Sequence, residues 1–151
     1  MTNTFDYRFL QRLPDGEGDN LVAVDATDRL VLAEAAPAVE TAAAGQVVVV
    51  GDSCGAMTLG ANTLHEAGEV RVHQDLLTGE QALAQNAVRA GVATTGFRQL
   101  PLTPELFAGA TVVLGQLPKS LEALREIAQL VAINADPKVR LFLGGRIKHM
   151  T

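Results

Sequence analysis

The sequence predicts an open, doubly wound, mainly parallel α/β sheet. Short apolar runs rich in β-branched residues, such as residues 46–50, are typical of strands that are covered on both faces. These runs alternate with helical segments at the spacing of βαβ units, whose crossovers are right-handed. A glycine-rich turn follows the first of these strands, which is where such sheets bind ligands. The alternation therefore indicates a single α/β domain.

The elements are predicted in order along the chain. Residues 1–20 are polar and end in turn formers, so we expect an arm and loop there, followed by the domain over residues 21–151. A helix from residue 118 onwards would begin at Pro118, because proline suits a first turn. The other predicted elements are helices at 25–36, 55–67 and 78–89, a connector at 37–45, and strands at 46–50, 69–73, 95–98, 111–114 and 139–143. The stripe predicted on the last helix is Leu121, Leu124, Ile127, Ala128 and Val131.

Composition excludes several classes of protein. With 151 residues, 48% of them hydrophobic, the chain can bury a sizeable core. A net charge of -5 excludes a strongly basic nucleic-acid module, although a local basic patch remains compatible with it. The single cysteine, Cys54, excludes a disulfide framework and a thiolate metal site, and no metal ligands are predicted. No apolar run reaches the roughly 20 residues that a membrane helix needs. Asp6 and Arg8 stand where a signal peptide would need an uninterrupted apolar stretch. We therefore expect a cytoplasmic protein that is not associated with a membrane.

The turn that begins at Gly51 has three interpretations. Gly51 and Gly55 can simply make a tight turn between strand and helix. Alternatively, Gly51-Asp-Ser53 resembles the nucleophile turn of GDSL-type esterases, with Ser53 attacking an acyl carbonyl. Such an enzyme needs an aspartate three residues before a late histidine, whereas His149 is preceded at that spacing by Arg146.

The third interpretation is a cofactor turn. The segment resembles the class I S-adenosylmethionine methyltransferase (Rossmann-like) fold, in which an acidic residue ending the second strand binds the ribose of the cofactor. Asp75 stands at that place, about two dozen residues after Gly51, and Asn86 matches an asparagine of the following helix. Asp75 can equally cap the next helix.

The whole chain resembles the N-terminal domain of the two-domain rRNA guanine-N(2) methyltransferases, and is nearer to the large-subunit enzyme. The segments that carry the resemblance lie at 10–14, 24–28, 51–56, 112–120 and 141–148. Active enzymes of this fold that act on an exocyclic amine carry Asn-Pro-Pro-Phe after the fourth strand, where the amide and a backbone carbonyl hold the target amine and the ring stacks on the base. Here the corresponding residues are Gln116-Leu-Pro-Lys119, and Val49 and Ser53 replace an acidic residue and a glycine near the first turn.

The resemblance implies a domain without catalytic residues that supports a C-terminal catalytic domain and helps to hold rRNA. S-adenosylmethionine would serve the parent enzyme, while Gly51, Gly55 and Asp75 would be a vestigial cofactor site that binds it weakly or not at all. A second expectation concerns three basic residues near strand ends, Lys119, Arg146 and Lys148. They form either an ordinary solvated surface or a patch that binds RNA phosphates.

Two alternatives remain open at this point. A free-standing small methyltransferase would still bind S-adenosylmethionine through Gly51, Gly55 and Asp75. A GDSL-like serine esterase would use Ser53.

Overall fold

The computed structural model describes residues 26–43, 45–51, 56–64, 69–74, 77–90, 96–118 and 120–145. The predicted N-terminal arm over residues 1–20 lies outside these ranges. The helices are α1 (Ala26–Thr41), α2 (Ala56–Leu64), α3 (Leu77–Ala90), α4 (Pro104–Phe107) and α5 (Leu121–Asn134). The strands are β1 (Val47–Val50), β2 (Val70–His73), β3 (Phe97–Gln99), β4 (Val112–Gln116) and β5 (Arg140–Gly144).

The five strands form one parallel sheet in the order β3-β2-β1-β4-β5. β1 is a run of four valines, each at most 2% exposed, as expected of a central strand covered on both faces. Right-handed crossovers of parallel strands place helices on both faces of such a sheet. The doubly wound, parallel α/β fold predicted from the sequence is confirmed.

Two hydrophobic clusters cover the two faces of the sheet. Residues of α1, α2 and α3 pack on one face around Val47 and Val49, together with Phe142 of β5. On the other face, α4 and α5 contribute Phe107, Ile127 and Val131 to a cluster around Val48 and Val50. The opposite orientation of alternate valines explains why one short strand anchors both cores.

Three helical predictions were wrong in detail. α1 continues past Pro37 to Thr41, because Ala38 and Val39 are buried in the core and their packing outweighs the missing proline N–H. α5 begins at Leu121, not at Pro118, and its N-cap is Ser120, whose hydroxyl accepts a hydrogen bond from the Ala123 N–H at 3.1 Å.

The predicted stripe on α5 is also narrower than expected. Ile127 and Val131 are buried, whereas Leu121 is 70% exposed and Ala128 is exposed. The four-residue helix α4 was not predicted, because a segment this short has no readable periodicity. These differences change the ends of elements and leave the order of the strands unaffected.

Candidate functional site

Successive strands are added on one side of β1 up to β3 and on its other side from β4 onwards, so the topological switch point lies between β1 and β4. From β1 the chain builds outwards through β2 to β3, and then crosses over to β4 and β5 on the other side. Open α/β sheets bind ligands in the crevice outside the carboxyl ends of the strands at such a point. In this chain the crevice lies beyond Val50 and Gln116.

Gly51 closes the carboxyl end of β1 in a conformation that favours glycine. Its φ is +75°, and its N–H donates to the carbonyl of His73 at 3.0 Å. A Cβ at this position would lie 3.4 Å from the carbonyl oxygen of Gln116. The structure thus places one predicted cofactor residue, Gly51, directly at the crevice.

The other predicted site residues lie outside the described residues. This holds for the cofactor residues Gly55 and Asp75, for the candidate nucleophile Ser53, and for the basic residues Lys119, Arg146 and Lys148. Their roles therefore remain predictions. Asn86, which matches the family's helical asparagine, is described and lies fully buried on α3.

A cavity of about 280 Å³ opens at the crevice, on the face covered by α4 and α5. Most of its wall is apolar, and the polar side chains that reach it come from three different elements. The lining residues are Val50, Gly51, His73, Leu102, Gln116, Leu117, Pro118, Ala123, Glu126 and Ile127. Mostly apolar walls with a few polar groups are typical of small-molecule sites.

The Gln116 side chain is held by a buried carboxylate. Its Nε2 donates to Oδ1 of Asp28 at 2.7 Å, and Asp28, in the first turn of α1, is only 5% exposed. A carboxylate accepts strongly from an amide N–H, and so it orients the amide. Asp28 stands near the start of the helix predicted at 25–36, and nothing local in the sequence indicates a partner 88 residues away.

His73 ends β2 and lines the same cavity. Its Nδ1 lies 2.8 Å from the carbonyl oxygen of Leu100, so Nδ1 carries the proton in this contact. This contact ties the end of β2 to the segment that follows β3. His73 therefore helps to shape the wall of the cavity.

Two buried polar side chains were missed from the sequence. Arg71, 7% exposed, donates to the carbonyl oxygens of Glu105 at 2.9 Å and Gly45 at 2.6 Å. Burial lowers the pKa of its guanidinium, and neighbouring Arg98 adds to that effect. Gln74, which follows β2 and is also 7% exposed, has both polar atoms of its side-chain amide buried without a hydrogen-bond partner among the described residues.

The carboxyl ends of β4 and β5 lie side by side. Gln116 is in register with Gly144, and the N–H of Leu117 donates to the Gly144 carbonyl at 2.7 Å. The segments carrying the predicted basic residues continue from these two ends. Among the described ranges no cluster of three metal-ligating side chains occurs, and no helix there is long and apolar enough to cross a membrane.

Fold and crevice together define a class I S-adenosylmethionine-dependent methyltransferase fold. The structure is similar to the crystal structure of the SAM-dependent methyltransferase from Agrobacterium tumefaciens, with a TM-score of 0.68, 19% identity, and coverage of 85% of this chain and 47% of the other. It is also similar to precorrin 8W decarboxylase from Methanobacterium thermoautotrophicum, with a TM-score of 0.59, 14% identity, and coverage of 90% and 69%.

The chain belongs to the RLMG N-terminal domain family, whose model matches residues 1–151. Relatives include proteins named ribosomal RNA large subunit methyltransferase G from Pseudomonas fluorescens Pf-5, 33% identical over 93% of this chain, and from Streptomyces avermitilis, 33% identical over 99%. The chain spans 37% and 38% of the length of these two relatives. The family resemblance stated from the sequence is confirmed.

Proposed function

We propose that this chain is a non-catalytic domain of an rRNA methyltransferase, which supports a catalytic domain of the same protein and helps to hold rRNA. The observation that carries the proposal is the fixed amide of Gln116 at the end of β4. Methyl transfer to an exocyclic amine needs acceptors there that hold the amine and direct its lone pair towards the methyl group. In this chain Asp28 restrains that amide and fixes its orientation.

The positions next to Gln116 also lack the residues of the catalytic motif. Leu117 follows Gln116 where the active motif has proline, and Lys119 stands in the place of the aromatic residue that stacks on a flipped base. Stacking of a base requires a planar π-face, which a lysine lacks. The motif therefore keeps its position in the fold while its catalytic chemistry is absent.

The described residues do not fit the whole of S-adenosylmethionine. Val49, at the expected acidic position, is fully buried in the core on the face covered by α1 and α2. The described part of the cavity's lining contains no lysine or arginine for the cofactor's carboxylate. We therefore infer that the cofactor belongs to the catalytic domain of the parent enzyme.

The contribution to rRNA binding is supported by the neighbouring ends of β4 and β5. Lys119 follows β4 by three residues, and Arg146 and Lys148 follow β5 by two and four. The hydrogen bond from the Leu117 N–H to the Gly144 carbonyl joins the two strand ends, so the segments that carry these three residues both leave the sheet at its carboxyl end. Converging cations can bind phosphates even when the net charge is -5.

Membership in this family favours the proposal over the two alternatives. The relatives are named as rRNA methyltransferases, which gives no support to an esterase based on Ser53. A free-standing methyltransferase would need a complete cofactor site, and the buried Val49 at the expected acidic position counts against one.

A salt series of rRNA binding tests the proposal. Each phosphate contact contributes about 0.7 to the slope of log affinity against log salt for single-stranded RNA. The triple variant Lys119→Ala, Arg146→Ala, Lys148→Ala should therefore lower the slope by about 2 and weaken binding to different RNA sequences by similar factors. Filter binding with the 151-residue chain measures both quantities.

The control removes positive charge at the amino-terminal end of β5, the end of the sheet opposite to the proposed patch. Lys138 and Arg140 are exposed and lie just before and at the start of β5. Their double alanine variant should leave the salt slope unchanged. An unchanged slope and affinity in the triple variant would instead assign the domain to support of folding or to protein contacts.

A further inference from the structure

The strand β5 is a free edge of the sheet. It pairs with β4 on one side and with no described strand on the other. Edge strands present a row of unpaired N–H and C=O groups, which natural proteins protect by keeping the strand short or by adding lysine, proline or a bulge. β3, at the opposite edge, has only three residues. β5 has five, contains neither lysine nor proline, and runs in unbroken register with β4. Its outer edge is therefore open to another strand.

Hydrogen bonds to the β4 side show which backbone groups of β5 point outwards. The Arg140 N–H donates to the carbonyl of Thr111, just before β4, at 2.9 Å. The Gly144 carbonyl accepts at 2.7 Å from the residue just after β4. Because backbone groups alternate in direction along a strand, the N–H and C=O of Leu141 and Leu143 point away from β4.

The side chains of β5 divide between the two faces of the sheet. Leu143 and the preceding Val139 pack against the cluster that α5 contributes to, whereas Phe142 packs against the cluster on the other face. Leu141 alternates with Phe142 and so lies on the α5 face. Leu141 is 42% exposed, and no other large apolar side chain of a described strand is exposed. The free edge thus carries an uncovered apolar residue at its centre.

The residues of β5 are complementary to themselves in an antiparallel pair. With a twofold axis at Leu141, the two copies of this leucine lie opposite each other, and Val139 faces Leu143 of the second copy on the same side of the sheet. On the other side Arg140 faces Phe142 of the second copy. Within one chain the Arg140 guanidinium already lies 5.8 Å from the centre of the Phe142 ring. Apolar pairs and cation–π pairs both stabilise opposed positions, and this register opposes no like charges within the strand.

We infer that β5 pairs with β5 of a second copy of this chain, so that the two sheets join into one continuous sheet. A twofold axis perpendicular to the sheet brings the same strand of both copies together in antiparallel orientation. Strand addition of this kind obtains affinity from main-chain hydrogen bonds and specificity from alternate side chains. Only one short strand of each copy takes part, so the interface is small and the dimer is weak. The inference does not rest on the proposed function.

Sedimentation velocity over a concentration series tests the inference. The 151-residue chain of 15.9 kDa should shift from monomer towards dimer mass as its concentration rises. Leu141→Lys places two cations opposite each other at the axis, so it should weaken the association by at least about tenfold. The control is Val88→Lys on α3, which leads to the opposite edge strand; Val88 is 76% exposed, and this variant should dimerise like the unmodified chain. Equal thermal unfolding midpoints would establish that the three proteins fold alike.

Cysteine cross-linking tests the register, in a Cys54→Ala background that removes the only native thiol. Opposed residues of a hydrogen-bonded antiparallel pair have Cα atoms about 5.5 Å apart, which a disulfide can span. Leu141→Cys should therefore give a covalent dimer on mild oxidation. Leu143→Cys should not, because its two copies would lie more than about 13 Å apart along the strands.

Three results would overturn the inference. A chain that stays monomeric at every concentration would leave the edge of β5 to a different segment of the parent protein. A dimer that survives Leu141→Lys, or that Val88→Lys dissociates, would place the contact elsewhere. Cross-linking through Leu143→Cys and not through Leu141→Cys would exclude the register. The salt series of rRNA binding bears on the proposed function alone, because none of the three residues replaced there belongs to β5.

Discussion

Removing the amide of Gln116 should destabilise the domain, because the buried Asp28 would lose a hydrogen-bond donor. The two side chains join α1 to the end of β4 across 88 residues at 2.7 Å. Hydrogen bonds to charged groups contribute about 1.5–3 kcal/mol. Gln116→Leu removes the amide and leaves an apolar side chain that is one bond shorter, so we expect the free energy of unfolding to fall by about 2 kcal/mol.

Urea and thermal unfolding measure this loss. In a chain of about 150 residues a change of about 2 kcal/mol lowers the midpoint temperature by about 4–8 °C. The control is Gln129→Leu, at an exposed position of α5, which should change stability by less than about 0.5 kcal/mol.

A double-mutant cycle with Asp28→Ala isolates the contact from other effects of each substitution. If the hydrogen bond exists, Gln116→Leu should cost little once Asp28 is absent, and the coupling energy should exceed about 1 kcal/mol. Additive losses within about 0.5 kcal/mol would refute the reasoning. Gln116 would then be free to serve a ligand, and the main argument for a non-catalytic domain would fall.

Three further predictions concern Gln74, cofactor binding and Ser53. Gln74→Met should leave the free energy of unfolding unchanged or raise it by about 1 kcal/mol, because it removes two buried polar atoms without partners; a clear loss in urea unfolding would mean that the amide has a partner. Calorimetric titration should detect weak binding of S-adenosylmethionine or none, whereas low-micromolar affinity that Asp75→Ala abolishes would favour a free-standing enzyme. The chain and its Ser53→Ala variant should hydrolyse an activated ester no faster than buffer does, and labelling of Ser53 by a fluorophosphonate would contradict this.

The fold was readable from the sequence because its strands are short and apolar. The four valines of β1 are buried because both faces of the strand are covered. Such a strand is a continuous apolar run, which is recognisable in the sequence. The ends of helices were harder to predict from Pro37 and Pro118, because core packing and N-capping decide where the helices next to them end and begin. α1 continues past Pro37 because Val39 is buried in the core, and α5 begins after Pro118 because the Ser120 hydroxyl caps its first turn.

The candidate site was only partly readable. Gly51 follows a strand and has the positive φ that a tight turn requires, so a local pattern indicates it. The contact between Asp28 and Gln116 has no local signature, since it depends on how α1 crosses the end of β4. Glu126 likewise looks like an ordinary exposed residue of a helix until the cavity beside it is seen.

A methyl-transfer assay with saturating rRNA tests the central claim most directly. The 151-residue chain is mixed with unmodified large-subunit rRNA and S-adenosylmethionine carrying a tritiated methyl group, at protein concentrations where filter binding shows the RNA fully bound. We expect the chain to retain the RNA while the RNA gains no tritium above a protein-free control. Incorporation approaching one methyl group per rRNA molecule would contradict the account and establish this chain as a catalyst.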